Sequence, residues 1–146
     1  MENYLIAESL IIERLRDQIS NISVVSISEL ATVTTRSQLI PAIQVIYSGD
    51  KIEAEGGQVS GHIFARQKWL VVLVVRDNRS ITDGTTVDVA GGEYLMQIIV
   101  ALSGYQLSSD HGFLRRESSP TTQYKNGFAY FPLMFSTKIE TTGSLI

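Results

Sequence analysis

The chain has 146 residues, 44% of them hydrophobic, and a formal net charge of -3. That length fits one domain over residues 1–146, large enough to fold around its own core without a covalent or metal staple. The absence of cysteine excludes disulfides, thiolate catalysis and cysteine-ligated zinc or iron–sulfur sites, and the acidic balance argues against broad nucleic-acid binding.

Met1-Glu2-Asn3 lacks the positive start of a signal peptide, and the apolar runs Trp69–Val75 and Ile98–Leu102 are too short to span a bilayer. A soluble protein made in the cytosol is expected. Leu5, Ile6, Ile12, Leu15, Ile19 and Ile22 recur at near-helical spacing. They predict a helix from about Glu2 to Ile19, capped by Asn3, with Glu2, Glu8, Glu13, Arg14, Arg16 and Asp17 on its wet face. Val24, Val25 and Ile27 among serines predict a short strand. Residues 29–40 read as loop or extended chain. Pro41 lacks a ladder donor and suits the start of a strand bearing Ile43, Val45 and Tyr47 on one face, which Ser48-Gly49-Asp50 is expected to end. The polar 50–61 stretch then reads as a long hairpin loop.

From His62 the chain alternates, with His62, Phe64, Arg66 and Lys68 on one face, and from Trp69 to Val75 it is apolar on both. Such a strand passes from an exposed position into the middle of a covered sheet. If both helices lie on one face, a partner subunit is expected to cover the other. After a polar loop and the Asp83-Gly84 turn, Val87, Tyr94, Leu95, Ile98, Ile99 and Leu102 mark the core face of a second helix. Thr85, Thr86 or Asp88 caps it, and Gly104 lies just past its end. Gly91-Gly92 inside this helix costs about 1 kcal/mol per glycine relative to alanine, which implies close approach to a neighbouring element. A short strand over 112–116 follows. Asn126-Gly127 is a tight-turn signal, and the last strand, Phe128–Glu140, points Phe131, Leu133, Phe135 and Ile139 to one side. Pro132 marks an edge position or a bulge in it, and 141–146 reads as a loose tail. The expected fold is α+β, a mostly antiparallel mixed sheet of four to five strands packed with two main helices in the order α-β-β-β-α-β-β.

No phosphate loop or dinucleotide fingerprint is present, because Gly56, Gly57 and Gly61 lack a following Lys-Ser/Thr pair and Gly91-Gly92 falls inside a helix. The two histidines build no site. Ser109-Asp110-His111 has the residue types of a triad, but triad members meet from distant chain positions. His62 has no evident metal-ligating partner. Residues 77–84 lack the alternating oxygen ligands and distal glutamate of a calcium loop. No catalytic residue, cofactor site or metal site is expected. Surfaces for protein partners take their place. The candidates are the basic strand face of His62, Arg66 and Lys68 and the polar loops beside the central strand. Those loops contribute Asp50, Lys51 and Glu53 on one side and Arg76, Asp77 and Arg79 on the other. The basic stripe reads as a solvated strand face, a contact for an acidic protein surface, or a weak phosphate contact; Trp69 reads as core.

Several segments together resemble the phage tail terminator (tail completion) proteins, particularly the group of Mu-like and related contractile-tailed phages. They are the first helix with Ile22-Ser23-Val24-Val25, Pro41–Val45, the strand Trp69–Asp77, the helix end Ile98–Tyr105 and the aromatic strand Tyr130–Phe135. Leu102-Ser103-Gly104-Tyr105 matches best, with its aromatic directly after the glycine, whereas the 50–61 loop has no counterpart. The resemblance implies a homohexameric ring that caps the tail tube and presents a joining surface to the head–neck proteins, and to the sheath if the tail contracts. It implies no catalysis and no cofactor, no membrane or specific nucleic-acid partner, and a place in the host cytoplasm during assembly and then in the virion tail. The alternatives are a head–tail connector or neck protein, and a small α+β ligand-binding module or enzyme.

Overall fold

The computed structural model describes residues 3–26, 40–53, 62–76 and 86–142. In chain order the elements are α1 (Ala7–Gln18), β1 (Ser23–Ser26), β2 (Ala42–Ile52), β3 (His62–Arg76), α2 (Thr86–Leu102), β4 (Arg115–Glu117), β5 (Gln123–Lys125) and β6 (Phe128–Thr142). The strands form one six-stranded sheet ordered β1-β2-β3-β6-β4, with β5 also on β6. β1 runs parallel to β2, and every other pairing is antiparallel. The α+β class and the element order are as the sequence implies; the short strand β5 is additional.

Strand parity decides the two faces. Ile43, Val45, Trp69, Val71, Leu73, Val75, Ala129, Leu133 and Phe135 pack beneath Ala7, Ile11 and Leu15 of α1 and Ile98, Ala101 and Leu102 of α2, so both helices share one face. Trp69 is fully buried there, against the Tyr47 ring. On the other face Val72 and Val74 are buried, and Ile46, Leu70 and Met134 are half-buried. With both helices on one face, the condition under which the sequence expects a partner subunit on the other is met. Among the described residues the most exposed large apolar side chains are Met96 (60%) and Val100 (71%) on the outside of α2, and Phe113 (65%) after it.

Several local readings hold. A Cβ on Gly91 would sit 3.1 Å from the Phe131 ring, so the glycine allows α2 to approach the sheet closely. Asn126 and Gly127, both at positive φ, make the two-residue turn from β5 to β6. Pro132 falls where β6 changes neighbours, β5 pairing with 128–130 and β4 with 134–136, so on that side its missing N–H disturbs no described ladder.

Three readings are corrected. The side chain of Asn3 accepts from the Leu5 N–H in a turn ahead of the helix, and α1 begins only at Ala7. Arg14 is not a solvated surface charge: it is half-buried and its Nε donates to the Ala101 carbonyl at 3.0 Å, whereas Arg16 stays exposed, as expected of the wet face, while donating to the Val24 carbonyl at 2.7 Å. Ser48-Gly49-Asp50 does not end β2. Between the Tyr47–Trp69 and Asp50–Gln67 pairs the strand carries one extra residue, a bulge that Gly49 accommodates at φ +97°, and pairing resumes to Ile52.

Candidate interaction surfaces

The polar end of the sheet, beyond the Gly49 bulge, brings together two of the predicted site residues, Glu53 and Arg66. Arg66 lies opposite Lys138 in the β3–β6 register, a like-charge pair that is unfavourable without neutralisation. Each side chain leans away from the other. Arg66 Nε pairs with Glu53 at 2.7 Å, and the Lys138 ammonium lies 4.7 Å from the centre of the Phe64 ring. Glu53 is held in place through its own N–H, which donates to the Phe64 carbonyl.

The network continues across β6. A second Arg66 nitrogen reaches the Ser136 hydroxyl at 3.4 Å; that hydroxyl donates to Glu117 at 2.6 Å, and Glu117 also pairs with Arg115 at 2.8 Å. The row therefore crosses from the end of β2 to β4. The Arg66 hydrogen bond holds the Glu53 carboxyl below its ordinary range. The Ser136 hydroxyl, then Arg115, does the same for Glu117. At this edge Arg66, Phe113, Arg115, Arg116 and Lys138 line an open recess of about 660 Å³ beside the end of α2.

The remaining candidates are dispersed. Asp50 accepts a hydrogen bond from the Tyr4 hydroxyl, which fastens the start of the chain to β2. Burial and this carboxylate push the Tyr4 hydroxyl pKa well up. Lys51 is exposed opposite Arg66 on β2. Lys68 is half-buried opposite Ser136. Arg76, at the far end of β3, lies 5.9 Å from the Phe128 ring centre. His62 pairs by backbone with Thr142, but its side chain is outside the described set, as are Asp77 and Arg79. The structure thus joins Glu53 and Arg66 and leaves the other described candidates apart. Arg115, Arg116, Glu117, Phe113 and Lys138 were missed by sequence reasoning. The signal that could have found them is the adjacent pair Arg115-Arg116 beside an exposed aromatic.

His111 is buried at 2% exposure, with its Nδ1 2.6 Å from the Ser108 hydroxyl and its Nε2 without a hydrogen-bond partner. The same hydroxyl accepts from the Asp110 N–H, so the pair staples a turn. Ser109 and Asp110 form no triad with His111. Among the described residues no three His, Asp or Glu side chains cluster as a metal site, and no helix is long and apolar enough to cross a membrane.

Among the described residues the geometry is that of an α+β domain with a charged network at one sheet edge and exposed apolar side chains beside it and on the outside of α2. The family model for phage tail terminator protein matches residues 1–143. The chain belongs to the phage tail terminator family and is a structural protein of the phage tail. No curated protein matches the chain. Among solved structures it is similar to a chain of the virion of a native gene transfer agent particle, at 14% identity and a TM-score of 0.55, over 95% of this chain and 100% of that one. At that identity the likeness speaks for the fold.

Proposed function

We propose that this protein, acting as a single domain, closes the finished tail tube as a homohexameric ring and offers the outer surface of that ring to the head–neck proteins, and to the sheath where the tail contracts. The match of the terminator family model across residues 1–143 carries this reading. The architecture supports it: the long β3–β6 ladder over residues 62–76 and 128–142 is a rigid scaffold, and charged side chains converge at one of its ends. Closed rings built from one repeated contact are a common solution for homo-oligomers. In this reading the protein has no catalytic activity and takes no cofactor, and its work is done in the host cytoplasm before it is carried in the virion.

The test is a phage lacking the protein, complemented with purified chain. Tube polymers that run past their set length without it, and are capped at one end by a six-fold ring when it is restored, are the expected result. Tubes of normal length that fail only to join heads would instead identify a connector.

A further inference from the structure

We infer that the repeated contact of the ring joins two different surfaces of the chain head to tail: the recess at the β4 edge on one copy and the outer face of the two helices on the next. This rests on the ring reading above and names the partner surfaces within it.

The two surfaces complement each other in charge and in apolar relief. At the edge recess, Arg116 and Lys138 are exposed around Phe113, itself 65% exposed. Arg66 and Arg115 already have carboxylate partners, whereas the Arg116 side chain makes no ion pair or hydrogen bond among the described residues. The recess therefore presents an aromatic knob with surplus positive charge. The helical layer presents the converse. Residues 86–102 contain no lysine or arginine. Of the two arginines of α1, Arg14 is half-buried against the Ala101 carbonyl, and Arg16, though exposed, donates to the Val24 carbonyl. Glu13, Asp17 and Glu93 remain exposed on its outer side. Between the helices lies an open groove of about 350 Å³, lined by Gln18, Glu93, Met96, Gln97, Val100 and Ala101 and dominated by the exposed Met96 and Val100.

A second copy supplies both halves of the match: an apolar knob flanked by cations for an apolar groove that carries Glu93 in its lining, with Glu13 and Asp17 exposed on α1. The chain as a whole is acidic, so a basic recess on it is attractive to its own copies. Because one patch lies at a sheet edge and the other on the helical layer, the contact is heterologous, the kind that closes into a ring when the rotation between copies allows.

The experiment uses full-length chains and two charge reversals, Arg116→Glu with Lys138→Glu, and Asp17→Lys with Glu93→Lys, at exposed positions. Unchanged thermal unfolding and circular dichroism verify folding. Light scattering and analytical ultracentrifugation, with tail tube present if the free protein does not self-associate, read the assembly. Each variant alone is expected to weaken association by about 100-fold or more, since like charges then face each other. An equimolar mixture of the two is expected to restore wild-type assembly, with the variants alternating around the ring. Phe113→Ser should weaken association without reversing charge.

Assembly of either variant alone at wild-type concentrations, or failure of the mixture to restore it, overturns the assignment of surfaces and leaves the ring standing. A wild-type chain that stays monomeric even on tubes overturns the ring itself, and this inference with it.

Discussion

Arg14 donates from Nε to the carbonyl of Ala101 at 3.0 Å, so a cation from the first helix caps the C-terminus of the second. Helix α2 has no basic residue in its last turn, and its terminal carbonyls carry the negative end of the helix dipole. The same guanidinium lies 4.0 Å from the centre of the Tyr105 ring. Arg14→Leu keeps an aliphatic stem but removes the donor. A loss of about 1–3 kcal/mol in unfolding free energy is expected, read from urea denaturation at unchanged slope. Arg14→Lys, which lacks the planar fork, should recover only part of it. No loss in either variant would show that water serves the Ala101 carbonyl equally well.

Gly91 and Gly92 are adjacent on α2 and should respond oppositely. A Cβ on Gly92 meets nothing within 4 Å, so Gly92→Ala gains helix propensity and should raise stability by roughly 0.5–1 kcal/mol. A side chain on Gly91 meets the Phe131 ring, and Gly91→Val should cost about 1–3 kcal/mol by forcing α2 off the sheet. Thermal unfolding of the two variants against the parent decides it.

Gln67, fully buried in β3, ties the turn ahead of α1 to the core of the sheet. It donates to the Tyr4 carbonyl at 2.6 Å and accepts from the Trp69 indole at 3.3 Å. Gln67→Leu leaves both partners unsatisfied, and a destabilisation of about 2–4 kcal/mol is expected. Gln67→Glu keeps the acceptor but buries a carboxylate. It should be most destabilising at neutral pH and recover on acidification as the group takes up a proton.

His111 predicts a pH dependence with a definite sign. Burial pulls its pKa below the ordinary 6.5, partly opposed by Asp110. As pH falls, the unfolded chain binds the proton first, so stability is full above the unfolded value and declines as pH drops through it towards the folded value. The melting temperature should therefore fall from about pH 7.5 to about pH 5.5, and His111→Gln should remove most of that slope. Glu53 and Glu117 also have lowered pKa values, but their contributions are lost only in a more acidic window, below their ordinary 4.5. An unchanged slope in His111→Gln would assign the effect elsewhere.

Local chemistry was legible wherever one residue type has one strong preference. Asn126-Gly127 specified its turn because both residues tolerate positive φ, and Gly104 took its place at φ +77° beyond α2. The doubly apolar run Trp69–Val75 announced a central strand, and β3 lies between β2 and β6. Gly49 misled, because the glycine that ends one strand also permits a bulge that continues another, and only the partner strand chooses. Arg14 misled for a related reason: helical periodicity places a side chain on a face, but a long side chain reaches whatever acceptor the fold brings near.

By itself, the sequence determined the class of the protein, its element order, its core and the absence of a recognisable catalytic motif, since these follow from periodicity, turn chemistry and the residue types present. The tertiary structure decided which charges meet. Glu53 follows the end of β2 and Arg66 lies in β3, and Arg116 and Lys138 are distant in sequence yet line one recess because β4 pairs with β6 in one register. Ladder register is a property of two strands together, and Coulomb attraction depends on the separation it sets. Both helices lying on one face of the sheet was decided in the same way, by packing between elements distant in the chain.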